Sequence, residues 1–486
     1  MSTRRSLAWM AAAQGSYFAL QFGGSVILAR LLTPHDMGVF AIALAVAGLL
    51  ALIQAFGLNS LIVREAELRP SLVATAFTIN AALGLVMAAA IAALGVFGGA
   101  LLGDAGVARV LLILSLLPLL AIFEFLPAAR LEREGGFRTL AILKAARSAI
   151  AMGLTVGLAF AGYSYMSLAW GQVAGAVFNA LALTSVAWRH VSLRLSLREW
   201  RTVSRFGGQM LAISGVNTFA DRVAEILLGR IIDLAALGLY SRASSMFNLL
   251  WNNIHIVLAR VFLVDFADLA RRGVPFRDRY VRVVAVMTGL LWPAFAGLAI
   301  LSGPFVQLIY GPKWLGAALP LSMLSIAAVI LVSITMTWQI FVVSGETGRQ
   351  ARIETARAGF GLALFVAGCF VNLTAAAAAK IGDALFSYAL YRPHVRRMTG
   401  TSGADLWPAY RKSAIAAGAA VTPATALMIA YGGSPQTPIA YIAAAIGLGV
   451  LLWLLVLRLI AHPLHDEIVR VARRLGARAD ALKAAP

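Results

Sequence analysis

The chain is a succession of apolar runs, most of them about twenty residues long, divided by short segments rich in arginine. The hydrocarbon core of a bilayer is about 30 Å thick, and an α-helix crosses it in about 20 residues while satisfying its own backbone hydrogen bonds. On that ruler the runs place spans at 8–30, 36–56, 74–98, 107–128, 140–162, 165–188, 206–232, 238–262, 282–306, 315–343, 356–372, 374–391, 411–432 and 436–460. The expected fold class is an all-α polytopic membrane protein with about 14 transmembrane helices. Hydrophobic residues make up 60% of the chain and charged residues 13%, about half the charged share of soluble proteins. Such a chain has too little polar surface to cover a water-soluble core.

Charge sets the orientation. Lys and Arg number 41 against 21 Asp and Glu, a formal net charge of +20. In a soluble domain that excess would point to nucleic acid. Here the cations fall between apolar runs, where they hold loops in the cytoplasm against anionic membrane lipids, and no nucleic-acid partner is expected. With both termini inside, alternate loops carry every Lys and Arg except Arg30, Arg109, Arg222, Arg230, Arg242, Lys313 and Lys380. The expected location is a bacterial cytoplasmic (inner) membrane, multi-pass, with N- and C-termini cytoplasmic. The first run is of full span length with no small-residue cleavage site after a short apolar core, so it reads as an uncleaved helix.

The same layout weighs against enzymes. Loops on the far side are short, whereas polytopic glycan polymerases and ligases usually carry a larger outer domain with acidic catalytic residues. No P-loop occurs, the six His are scattered, and Cys369 is the one cysteine, so neither a disulfide within the chain nor a Cys-based metal site is expected. The chain reads as a transporter, not an enzyme, with no catalytic residues, metal or cofactor expected. A polytopic polymerase or ligase is the less favoured alternative.

Polar residues inside the spans mark where a pathway would run. In 206–232, Ser214, Asn217, Asp221 and Glu225 recur at helical spacing and form one face, with Arg222 three residues before Glu225. In 238–262, Arg242, Ser245, Asn248, Asn252 and His255 repeat the pattern, and the first span carries a milder version in Gln14, Tyr17, Gln21 and Ser25. An ionised side chain facing lipid at bilayer depth costs about 2.5–3.5 kcal/mol. Four of them, Asp221, Arg222, Glu225 and Arg242, would cost about 10–14 kcal/mol by simple addition. They therefore face each other or water, either as a neutral network pinning two helices together or as the lining of a transport cavity. Elsewhere Glu124 is expected to pair with Arg130 or Arg147, and Lys380 with Asp383. Pro118, Pro127, Pro293, Pro304 and Pro423 are candidate kinks.

A repeat organises the chain. The segment ILARLLTPHDMGVFAIALAVAGLL at 27–50 aligns with LLGRIIDLAALGLYSRASSMFNLL at 227–250 at a constant offset of 200, with Leu28, Arg30, Gly38, Ala43, Leu49 and Leu50 recurring identically. Six spans separate the copies, so both have one orientation, a parallel repeat about the membrane normal. The expected architecture is two pseudo-symmetric six-helix bundles around a central cavity plus two C-terminal helices. The bundles take 1–188 and 206–391, a cytoplasmic linker 189–205, a loop and the last two spans 392–460, and a cytoplasmic amphipathic tail 461–486. That tail, with Ile468, Val471, Leu475, Ala479 and Leu482 on one side, is expected to lie on the membrane surface.

The stretch ARLLTPHDMGVFAIALA at 29–45, the GPKW at 311–314 followed by Ala317 and Pro320, and the span layout resemble the polysaccharide-transporter branch of the MOP superfamily. These are the Wzx-type flippases for lipid-linked oligosaccharides, related to the lipid II flippase MurJ and to MATE drug exporters. The chain departs from the family at 356–391, which is short for two full spans. The resemblance implies flipping of a polyprenyl-diphosphate-linked oligosaccharide across the membrane for exopolysaccharide, capsule or O-antigen assembly. It implies alternating access coupled to an ion gradient or membrane potential, a monomer, and polymerase and co-polymerase partners; a MATE-like small-molecule or cation antiporter is the alternative. It also implies a cationic cavity for the diphosphate, with Arg222, Arg242, Arg30 and Arg230 as candidate ligands, Asn248 and Asn252 lining it, and Asp221, Glu225 and His255 as candidate ion-coupling groups. Arginine binds phosphate oxygens in pairs and stays charged. A diphosphate taking Arg222 or Arg242 from a carboxylate would leave Asp221 or Glu225 unpaired and ready to accept a proton.

Overall fold

The computed structural model describes residues 22–54, 57–65, 67–98, 104–188, 194–252, 256–470 and Arg473. His255 and the expected polar stripe of Gln14, Tyr17 and Gln21 lie outside them, as does the tail beyond Arg473. Among the described residues the chain is helical throughout. The helices are α1 (Phe22–Leu31), α2 (Pro34–Gln54), α3 (Leu58–Arg64), α4 (Pro70–Phe97), α5 (Ala105–Leu114), α6 (Leu116–Arg133), α7 (Phe137–Phe160), α8 (Tyr165–Val186), α9 (Trp200–Ile231) and α10 (Leu234–Leu250). They continue with α11 (Ile256–Arg271), α12 (Arg277–Ile300), α13 (Ser302–Tyr310), α14 (Ala318–Val332), α15 (Thr337–Val343), α16 (Thr347–Cys369), α17 (Leu373–Thr399), α18 (Gly403–Ala430) and α19 (Ile439–Leu459). Nine described helices, some of them broken, are long and apolar enough to cross a bilayer. The other expected spans also overlap described helices, which are more polar or shorter.

Two compact units divide the chain at 241/242; α9 and the first turns of α10 thus belong with the first, whereas the repeat alone had set the bundles apart at 188 and 206. The core of the first unit gathers Leu61, Ile62, Leu72, Phe77, Phe125 and Leu126 from α3, α4 and α6. That of the second gathers Tyr280, Met287, Leu291 and Phe295 of α12 with Val332, Leu406 and Leu457.

The repeat is visible as geometry inside the first unit. Each copy opens with a helix N-cap at the same register. Thr33 Oγ1 accepts from the N–H of Asp36 at 3.2 Å and Asp36 accepts in return from the N–H of Thr33 at 2.9 Å, while Asp233 Oδ1 accepts from the N–H of Ala236 at 2.6 Å. One turn later the repeat glycines make a reciprocal contact. A Cβ on Gly38 would overlap the Leu234 carbonyl oxygen, and one on Gly238 would overlap that of Pro34. The first turns of α2 and α10 therefore touch backbone to backbone, which only glycine at both positions allows.

Three departures from expectation concern helix continuity. The short region 356–391 holds two long helices, because α16 and α17 extend into the charged sequence that flanks it, to Thr347 and Thr399. The span at 318–343 breaks between α14 and α15 with no proline, at Met336, which takes φ 65°. The carbonyls around this break are met by side chains: Trp292 Nε1 donates to Val329 O at 2.8 Å and Tyr410 OH to Ser333 O at 2.7 Å, so the irregular backbone is satisfied inside protein. Pro304 lies in the first turns of a separate helix, α13, where proline is well tolerated. Beyond α19, His462 and Leu464 are buried and Glu467 pairs with Arg282 at 3.1 Å. The start of the tail thus packs on protein where a surface helix was expected.

Candidate functional site

The polar face of α9 is the strongest candidate site. Arg222 Nη1 donates to Glu225 Oε2 at 2.8 Å, and both side chains keep about a third of their exposure, 32% and 30%. One and two turns before Glu225 on the same face, Asp221 and Asn217 are exposed; the Ser214 side chain falls outside what the structure describes. The neighbouring helix leaves room for the guanidinium. Gly48 of α2 faces Arg222, and a Cβ there would stand 3.1 Å from Arg222 Nε. The pair is thus partly exposed and not sealed into the core, as an ion pair open to a ligand must be. Arg30 and Arg230, the repeat-related pair, are both exposed, near the ends of α1 and α9.

Arg242, expected as a companion ligand, is enclosed by aromatic rings. In the second unit it is 4% exposed, with its guanidinium 5.0 Å from the ring centre of Tyr310 and 5.1 Å from that of Trp314. Cation–π contact on two rings holds its guanidinium buried in this structure. The GPKW stretch supplies one of these rings, and Gly311 at φ 94° turns the chain so that Trp314 is fully buried. Asn248 and Asn252 are exposed near the end of α10.

A second charged cluster went unread in the sequence. Arg357 on α16 binds Asp383 on α17 through Nη1 at 2.9 and 3.2 Å. It also binds Glu354 through Nη2 at 2.6 Å and Nε at 2.9 Å. Tyr391 OH donates to the other Glu354 oxygen. Gly361 makes space for the carboxylate, since a Cβ there would lie 2.8 Å from Asp383 Oδ1. Asp383, expected to pair with Lys380, takes both oxygens to Arg357, and the Lys380 ammonium stands 5.5 Å from the ring centre of Phe365. Arg357 had been read as a loop charge at the edge of a span, although its spacing from Glu354 was visible. The Glu124 expectation resolves to Arg147, at 3.2 Å. Among the described residues no three His, Cys, Asp or Glu gather as a metal site.

With nine described helices long and apolar enough to cross a bilayer, the protein is of the polytopic membrane class. Its fold is similar to that of the lipid II flippase MurJ in an inward closed conformation, with a TM-score of 0.76 over 92% of this chain and 98% of that one at 13% identity. It is also similar to an inward-facing multidrug-resistance MATE transporter of the MOP superfamily, with a TM-score of 0.60 over 79% and 96% at 12% identity. The chain belongs to the polysaccharide biosynthesis protein family Polysacc_synt_3, matched over residues 27–319, which include both repeat copies and the GPKW turn. It is 28% identical over 334 residues to the succinoglycan biosynthesis transport protein ExoT of Rhizobium meliloti (strain 1021), covering 67% of this chain and 66% of that one. It is 23% identical over 315 residues to the lipopolysaccharide biosynthesis protein WzxC of Escherichia coli (strain K12), covering 63% of each. The chain thus spans just under two thirds of the length of these relatives.

Proposed function

We propose that this protein is a flippase that moves polyprenyl-diphosphate-linked oligosaccharide units across the bacterial inner membrane for assembly of a surface or secreted polysaccharide. The observation that carries the reading is the Arg222–Glu225 pair, held partly exposed on the polar face of α9 beside Gly48. The named roles of ExoT and WzxC in succinoglycan and lipopolysaccharide biosynthesis support the substrate class. In this reading Arg222 receives the diphosphate, and Arg30 and Arg230 attract it near the helix ends. Asn248 and Asn252 offer neutral hydrogen bonds, and the sugar crosses in water while the lipid tail stays in the bilayer. Glu225, displaced from Arg222, or Asp221 beside it, accepts a proton, which keeps the charge carried across low. The chain acts as a transporter and not as an enzyme, with both termini cytoplasmic, as its basic loops support.

The test is deletion of the gene in its host, with lipid-linked oligosaccharides extracted and assigned to a leaflet. The expected outcome is a complete repeat unit accumulating on the cytoplasmic face, rescued by wild type and not by Arg222→Ala. Accumulation on the outer face would instead place the missing step after flipping, as for a polymerase.

A further inference from the structure

We propose that a cavity where α17 gives way to α18 is a binding site for the headgroup phosphate of an anionic phospholipid. The cavity, of about 510 Å³, is lined by Arg392, Pro393, Arg396, Arg397 and Gly403, with no acidic residue among them. The positive-inside pattern puts this end of the helices at the cytoplasmic surface. Trp407, one turn from Gly403 on the same face of α18, is 64% exposed, as befits an aromatic side chain at headgroup level.

What separates this cavity from an ordinary basic surface is how its cations are held. Arg392 donates to Thr401 O at 3.2 Å and Thr401 Oγ1 at 3.4 Å, neutral acceptors that fix the guanidinium without cancelling its charge. Thr401 is itself fully buried and hydrogen-bonded to Thr399 Oγ1 at 2.7 Å, and Gly400 turns the chain at φ 70°, so the anchor is preformed. Arg397 donates to Glu346, which also accepts from Arg349 at 2.7 Å. Two guanidiniums on one carboxylate leave a positive remainder, and the hydrogen bond from Arg397 holds the Glu346 carboxyl below its usual range. Arg396 is exposed and has no carboxylate in ion-pair reach among the described residues.

A larger cavity of about 820 Å³ nearby, at the feet of α12 and α18, makes the contrast. Its Arg277, Arg279 and Arg282 are matched by Asp405, Asp265 and Glu467. Every arginine of that cavity is thus paired with a carboxylate, and its remaining cation, Lys412, donates to Ala461 O at 3.0 Å and shares the lining with Asp278 and Asp466. In the smaller cavity Arg392 and Arg396 are in ion-pair reach of no carboxylate among the described residues, and planar guanidinium forks suit phosphate oxygens. Basic residues in the last turn of α17 also favour the helix C-terminus. That role needs a cation only and does not account for a walled cavity with an anchored arginine. The proposal is independent of the transport reading.

The experiment uses the purified full chain in phosphatidylcholine nanodiscs, titrated with phosphatidylglycerol and, in a separate arm, with inorganic phosphate, with bound lipid counted by native mass spectrometry. Wild type is expected to retain phosphatidylglycerol over phosphatidylcholine, and Arg396→Gln to weaken that retention about fivefold, the worth of one cation at an anionic surface. Arg411→Gln, exposed on α18 and outside the cavity, is expected to leave it unchanged, and both variants to unfold at the wild-type temperature in phosphatidylcholine alone. Equal losses in the two variants would reduce the effect to diffuse surface charge and overturn the proposal, as would no loss in Arg396→Gln. Competition by inorganic phosphate at concentrations matching the lipid's would overturn the assignment to a lipid headgroup.

Discussion

His462 has every ring contact assigned by its neighbours. The N–H of Leu464 donates to Nδ1 at 3.1 Å, so the ring hydrogen must sit on Nε2, which faces Ser413 Oγ at 3.1 Å. Ser413 passes the direction on to Thr288 Oγ1 at 2.7 Å, and Thr288 donates to Val284 O at 2.7 Å. All three side chains are buried, and the ring packs where a Cβ on Gly289 would lie 2.5 Å from Cε1. A proton added at Nδ1 would confront the Leu464 donor in a closed site. Burial, and then the nearby Lys412, push the imidazole down to about 4. The unfolded chain binds that proton from about pH 6.5 downward, whereas the native protein resists it until about 4. Stability contributed at neutral pH is therefore lost as pH falls from 6.5 toward 4, by about 2 kcal/mol at pH 5. Thermal unfolding of the detergent-solubilised protein at pH 7.5 and pH 5 checks this: His462→Gln is expected to be less stable at pH 7.5 and to lose part of the acid sensitivity. Identical pH slopes in wild type and variant would refute the assignment. The sequence showed only scattered histidines, because the partners of this one lie on three separate segments.

At the scale of elements, the paired glycines predict a coupling that single substitutions cannot reveal. Gly38→Ala must push the Leu234 carbonyl away, and Gly238→Ala must do the same to that of Pro34; overpacking of this kind costs about 1–3 kcal/mol each. Either alanine separates the same two helix ends, so the second meets a gap already opened by the first. The double variant is expected to lose less stability than the sum of the singles, measured as a thermodynamic cycle from unfolding temperatures. Strict additivity would mean the two contacts are not one crossing. These glycines, the N-caps at Thr33 and Asp233 and the apolar spans were legible because local spacing encodes them. The lengths of α16 and α17 were not: Arg349, Glu354 and Arg357 read as loop because a residue scale charges each ion separately. The helix carries them because Arg357 is neutralised across the hairpin by Asp383. The break at Met336 was equally hidden, since what permits it are donors on Trp292 and Tyr410, far away in the chain. Of the candidate site, the α9 face was legible from its period. The enclosure of Arg242 by Tyr310 and Trp314 was not, since only the fold brings them together.

For the molecule as a whole, the proposed function raises the question of how Arg222 would serve a ligand with two phosphates. Arg222 and Glu225 together are neutral, so a diphosphate that merely approached the pair would find little net attraction. It must take the guanidinium from Glu225, and a carboxylate that loses its arginine takes up a proton more readily. Ligand and proton then enter together, and linkage fixes the sign: if binding takes up a proton, affinity rises as pH falls, by at most about tenfold per pH unit for one proton. The diphosphate's own titration adds a pH dependence common to all variants, so the informative quantity is the difference between proteins. Binding of a polyprenyl diphosphate to purified wild type from pH 6 to pH 8 is expected to be steeper than binding to the Asp221→Asn, Glu225→Gln double variant. Gly48→Ala supplies the complementary arm. It crowds Arg222 Nε without altering any charge, so it is expected to weaken binding at every pH and leave the slope as in wild type. If the double variant keeps the wild-type slope, Asp221 and Glu225 do not carry the proton, and charge compensation must be sought elsewhere in the protein.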